Sequence, residues 1–96
     1  KDYAEAVRWY RLAANQGHAL AQSWLGEMYH RGQGVLQDIV MAYVWNNVAM
    51  ANGEWEAREY RDQALAKLNA SELRLGRKLA KLCFKNPAKC PEYSDD

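Results

Sequence analysis

Residues 38–53 read DIVMAYVWNNVAMANG, and this stretch decides the fold. Ala42, Trp45 and Ala49 stand 3 and 4 residues apart, so they share one face of a helix. Asp38 precedes the periodic run, where an N-cap belongs, and Gly53 follows it, where a helix should stop. Residues 2–17, DYAEAVRWYRLAANQG, repeat the frame 36 positions earlier. Asp2 falls on Asp38, Ala6 on Ala42, Trp9 on Trp45, Ala13 on Ala49 and Gly17 on Gly53, and Ala21 then falls on Ala57. So many coincidences at one offset, a pair of tryptophans among them, mark an internal repeat. The alanines let a neighbouring helix come close, and the indole fills the space beside them. Trp9 and Trp45 are therefore expected in the core. Glu5, three residues after Asp2, offers a capping box.

Between the two copies, Ala21, Trp24, Leu25, Met28 and Tyr29 form a second amphipathic stripe, which puts Trp24 in the core as well. Gly32-Gln33-Gly34-Val35 reads as a turn followed by a hydrophobic peg. The patterns predict helices over 3–16, 18–31, 38–52, 54–68 and 71–84. The first 86 residues contain no proline and are rich in helix formers. β-branched residues never alternate over a strand's length, so the class is all-α. With 96 residues, 49% of them apolar, the chain suffices for one domain around one core.

These residues resemble Sel1-like repeats, relatives of the tetratricopeptide repeats. The likeness rests on Ala19, Ala21, Leu25, Gly26, Tyr29, Gly32, Gly34 and Val35, followed by Asp38, Ala42, Trp45, Ala49 and Gly53. It covers roughly residues 2–68. It implies an α-solenoid of antiparallel helix pairs, about five helices in all, that serves as a scaffold for protein contacts. Within a single domain, 2–17 would be the second helix of a partial repeat and 18–53 a full one. Residues 54–68 would be a degenerate terminal repeat, 70–85 a capping helix and 86–96 a tail. The degeneracy is visible after Ala57, where Arg61, Asp62 and Leu68 replace Leu25, Gly26 and Gly32. A terminal repeat needs a polar outer face because no neighbour covers it. In the closing helix Ser71 is the expected N-cap and Leu75, Leu79 and Leu82 the expected stripe, with Gly76, Ala80 and Cys83 beside it. Lys1 falls in mid-unit, so further repeats are expected before it, and the uncapped first helix could pair with a second copy.

The charge balance, 13 basic and 12 acidic residues, lacks the one-signed field that nucleic-acid partners usually require. No apolar run reaches membrane-spanning length. Nucleophile, phosphate-loop and metal-spacing motifs are missing, so no catalytic, cofactor or metal residues are assigned. His18 at a helix start and His30 near a helix end both have structural explanations. Glu54, Glu56 and Glu59 are the densest acidic group, placed where a helix dipole favours them. A hydrolase, or a regulator of a cell-wall enzyme, would need a convergent polar cluster that is not apparent. Cys83 and Cys90 could bond and pin the tail across the helix end; otherwise Cys83 is a buried small hydrophobe and Cys90 is free. A bond would imply a periplasmic or secreted protein, its absence a cytoplasmic one.

The resemblance implies a non-enzymatic bacterial adaptor that takes a protein or peptide on the solenoid surface, or else a structural end cap or homodimerisation module of a longer repeat protein. The residues left over from the core stripes give the candidate surface: Glu5, Arg8, Arg11, Leu12 and Asn15 from the first helix, and Met41, Val44, Asn47, Val48 and Ala51 from the third. The apolar members of the second set form either a binding patch or a seat for the closing helix. Trp55 stands where the first copy has Ala19, so it either packs under that helix or is exposed for a partner.

Overall fold

Five helices follow one another in the computed structural model, which describes residues 2–94: α1 (Tyr3–Asn15), α2 (Ala19–Arg31), α3 (Ile39–Ala51), α4 (Ala57–Leu65) and α5 (Ala70–Lys85). A single 3₁₀ turn, Pro87–Lys89, comes after them. There is no strand among the described residues, and the all-α helical-repeat architecture is as the periodicity requires.

The caps explain the boundaries. Asp2 accepts from the Glu5 amide at 2.9 Å and Asp38 from the Met41 amide at 3.0 Å. The expected capping box at Asp2 is half made: the Glu5 carboxylate takes the Trp9 indole N–H at 3.2 Å and lies 3.6 Å from Arg8. α1 and α3 end alike, with Gly17 and Gly53 at φ +86° and +104°. Their amides bond to Ala14 and Met50, and the following His18 and Glu54 amides bond to Ala13 and Ala49. This is the Schellman closure, which favours glycine at the left-handed position. α5 starts earlier than its sequence suggests. Asn69, not Ser71, is its N-cap, in a complete capping box with Glu72.

α3 is the central helix, with nine of its thirteen residues buried. It packs on α2, α4 and α5, whereas α4 and α5 barely touch each other. A helix apolar all round belongs inside, and α3 is the one such helix here. Met41, Val44 and Val48 are at most 1% exposed, so they form core and not surface.

The flanking helices bury a stripe displaced from the predicted one. α1 turns Val7, Tyr10 and Ala14 inward and leaves Trp9 63% exposed. On α2 the inward set is Ala21, Leu25 and Tyr29 with Gln22, Ser23 and Gly26, while Trp24 is 45% exposed. Only α3 has neighbours on all sides, so of the three tryptophans assigned to core stripes only Trp45 is buried. The polar members of this core are paired. Gln22 donates to the Ala14 carbonyl at 3.0 Å and accepts from Asn52 at 3.0 Å. Ser23 donates to Asn46 at 2.8 Å, and Asn46 donates to the Ala42 carbonyl at 3.1 Å. Buried amides satisfied in this way do not carry the cost of orphaned ones.

α5 closes the array through its small residues. Gly76, Ala80 and Cys83 are buried, whereas Leu75 and Leu79 lie on the flank and Leu82 is exposed. A Cβ at Gly76 would come 2.9 Å from the Tyr43 ring. Gly76→Ala is therefore expected to cost about 1 kcal/mol by overpacking, despite the alanine's better helix propensity. Urea unfolding checks this; a stabilised variant would mean that α5 is free to shift along α3.

The tail is a strap. Cys83 and Cys90 are disulfide-bonded, with Cα atoms 4.7 Å apart. Beyond the bond the chain crosses α1, α2 and the start of α3. Arg11 donates to the Cys90 carbonyl, and the Tyr29 hydroxyl donates to the Glu92 carbonyl. Tyr93 stands edge-on to Tyr29 at 5.8 Å, and its hydroxyl accepts from the Leu36 amide at 3.1 Å. The Ser94 amide and hydroxyl both donate to the Asp38 carboxylate at 2.8 Å. Asp38 thus caps α3 and anchors the strap at once.

Candidate functional site

The sequence-derived surface residues do not assemble into one site. Glu5 and Arg8 are exposed on the outer side of α1, beside Trp9 and Leu12. Arg11 and Asn15 are turned inward: the Arg11 guanidinium bonds Asn15 at 2.8 Å, reaches the strap and lies 5.2 Å over the Trp45 ring. Burial pushes its pKa down, with Tyr29 and Glu92 opposing. Asn47 is half-buried and accepts from Arg61 at 3.3 Å. Trp55 is 75% exposed, so it does not pack under the closing helix. Met41 and Val44 drop out of any surface because α3 is enclosed.

A different set converges on one groove. Between α2, α4 and α1 lies a cavity of about 210 Å³. Tyr10, Trp24 and Tyr60 supply its aromatic lining, Met28 an apolar wall, and Glu27 and Arg31 its charges. The Tyr10 and Trp24 rings are 5.3 Å apart and tilted by 46°. The periodicity itself explains the grouping. Trp24 and Tyr60 are separated by the same 36 residues as Trp9 and Trp45, so they hold the same position in the repeat frame. That offset was the signal that could have identified the groove. It was masked because Trp24 also fits an amphipathic stripe.

Electrostatically the groove is not at rest. Glu27 Oε1 is buried without a hydrogen-bond partner, and Oε2 is 3.8 Å from Arg31 Nε. Burial pushes the Glu27 carboxyl above the usual carboxylate range, with Arg31 pulling it back. Alongside, Lys67 Nζ of the α4–α5 turn donates to His30 Nε2 at 3.1 Å. His30 Nδ1 must then carry the ring proton, and it is buried without a partner. Burial, Lys67 and Arg31 all lower the His30 pKa and hold the ring neutral. His18 is used locally, its Nδ1 accepting from the Ala21 amide at 3.2 Å as the N-cap of α2.

Among the described residues no group of three His, Cys, Asp or Glu side chains is placed to hold a metal ion. No described helix is long and apolar enough to cross a membrane. Aromatic faces and a flexible methionine make the groove adhesive, and Glu27 adds a desolvated acid. The family model for the Sel1 repeat matches residues 1–18 and 19–45. Among curated proteins, none matches this chain.

Proposed function

Because this chain belongs to the Sel1-like repeat family, which its residues 1–45 carry, we propose that it is a non-enzymatic adaptor holding a protein or peptide segment in the Tyr10–Trp24–Tyr60 groove. Sel1 repeats are in general protein–protein interaction modules. The observation that carries the assignment to this face is Trp24, a large apolar side chain left 45% exposed beside Tyr10 and 37%-exposed Tyr60. Aromatics that line an open groove are the residues that most often dominate binding energy. The cavity is small, which suits one or two partner side chains and not a whole small-molecule ligand. The Cys83–Cys90 bond favours an oxidising compartment, so we place the protein in the periplasm or outside the cell.

The test begins with a partner captured by the wild-type chain. Trp24→Ala with Tyr60→Ala should weaken its binding by about tenfold or more. The circular dichroism of the double variant should match the wild type, since neither side chain is in the core. Undiminished binding would remove the groove from consideration.

A second reading has its own observation. Trp9 and Leu12 are 63% and 53% exposed on the outer side of α1, so that side could seat a further repeat or another copy. On this reading the chain is the end cap of a longer array, and Trp9→Ala with Leu12→Ala would abolish the interaction while the groove variant would not.

A further inference from the structure

The α3–α5 side carries a second surface that the groove does not use. α4 and α5 splay apart, which leaves a cavity of about 340 Å³ over the second half of α3. Val48, Ala51, Ala80 and Phe84 give it an apolar lining, with Arg77 and Lys81 as one wall. Phe84 is 50% exposed. α5 carries five basic residues, Arg74, Arg77, Lys78, Lys81 and Lys85, and its one acid, Glu72, is engaged in the capping box. Among the described residues none of the five makes an ion pair or side-chain hydrogen bond, and all five are exposed. Helical phase puts them with Phe84 on a single arc. The occupant such a cavity calls for is an apolar side chain flanked by carboxylates.

The chain displays that feature next door. Ala51 lines the cavity, and four residues later Trp55 projects from the turn into α4, 75% exposed. Glu54, Glu56, Glu59 and Asp62 surround it in sequence, with Arg58 and Arg61 among them, and Arg61 is bonded to Asp62 at 2.9 Å. The basic apolar hollow and the acid-flanked indole thus follow one another in the chain, and a surface that carries both is self-complementary. Two copies related by a two-fold axis can each give an indole and take one, the arrangement that closes a dimer. We propose that a second copy of this chain is the occupant, with Trp55 of each copy entering the α3–α5 cavity of the other. A lipid surface fits less well, because the apolar part is a hollow and not a protruding wedge. The contact is small by the standard of stable dimers, so self-association is weak and salt-sensitive.

Sedimentation velocity tests this. Between about 20 µM and about 1 mM the weight-average sedimentation coefficient should rise toward that of a dimer. Raising the salt from about 50 mM to about 500 mM should reduce the rise. Trp55→Ala, and separately Arg77→Glu with Lys81→Glu, should each stay monomeric. Mixed in equal amounts these two variants should associate again, because one reciprocal contact survives. Circular dichroism should show all variants folded, as none of the three side chains is buried. A wild-type monomer throughout the range overturns the proposal. So does a dimer that survives both variants, or one that only Trp9→Ala with Leu12→Ala removes.

Discussion

Trp45→Ala is expected to lower stability by about 3–5 kcal/mol, while Trp9→Ala at the same repeat position should change it by less than about 0.5 kcal/mol. The two residues are in phase, yet Trp45 is fully enclosed and Trp9 is 63% exposed. Removing the Trp45 indole opens a hole in the helix that touches α2, α4 and α5 together. It also withdraws the ring beneath Arg11, which holds the strap at Cys90. Trp9 gives up only a hydrogen bond to the exposed Glu5 carboxylate. For a domain of this size the first loss corresponds to a midpoint shift of roughly 15–30 °C, a large part of a typical small domain's margin. Thermal unfolding by circular dichroism distinguishes the two. Comparable losses from both substitutions would mean that α1 is covered in solution, by another copy or by further helices. Trp45→Phe should cost less than Trp45→Ala because the phenyl ring fills most of the hole; both remove an indole N–H that is buried without a partner.

The contrast shows what periodicity can and cannot reveal. Spacing of 3 and 4 residues established that helices form and where Asp38, Gly17 and Gly53 end them, because capping and helical phase are local. It could not say how many sides of each helix are covered. Trp9, Trp24 and Trp45 all sat on plausible stripes, and only the neighbours of α3 separate them. The buried amides of Gln22 and Asn46 were illegible for the same reason: a polar residue reads as surface until a partner from another helix is in view. In the closing helix the leucines drew attention, although Gly76, Ala80 and Cys83 make the close contact. Close approach selects small side chains, and hydrophobicity alone does not reveal them.

The candidate groove was legible only in its repeat. Tyr60 follows Trp24 by the repeat length, whereas Tyr10 joins them through tertiary packing that no spacing encodes. Nothing in the spacing sets Glu27 apart from a helical surface acid, and its desolvation depends on the residues around it in the groove. Conversely, Glu5 and Arg8 were correctly read as exposed, but Arg11, one turn further on, serves the strap.

Removing the disulfide should have the second-largest effect, because it decides whether the strap stays down. Residues 86–94 bring few apolar side chains, chiefly Pro91 and Tyr93, and the backbone of each ordered residue costs about 1 kcal/mol or more in entropy. Against this stand the bonds from Arg11, Tyr29 and Leu36 and the paired bonds from Ser94 to Asp38, each with a net worth of about 1 kcal/mol. Five such bonds do not by themselves offset the ordering of nine residues, so the strap needs the covalent link at Cys90 to stay docked. Closing a loop with a sequence separation of 7 contributes about 2 kcal/mol through the unfolded chain. Cys83→Ala with Cys90→Ala, or reduction of the wild type, should therefore lower the midpoint by roughly 8–16 °C. The loss has a distinctive pattern. The Leu36 amide, bonded to Tyr93 of the strap, and the Ser94 amide, bonded to Asp38, should exchange with solvent far faster, while amides in the middle of α3 stay protected as far as global stability allows. Asp38 would still cap α3 through the Met41 amide, so the helix itself need not fray. If reduction leaves the midpoint and the Leu36 exchange rate unchanged, the hydrogen bonds hold the tail alone. The strap would then be a property of Asp38, Tyr29 and Arg11, not of the redox state of the compartment.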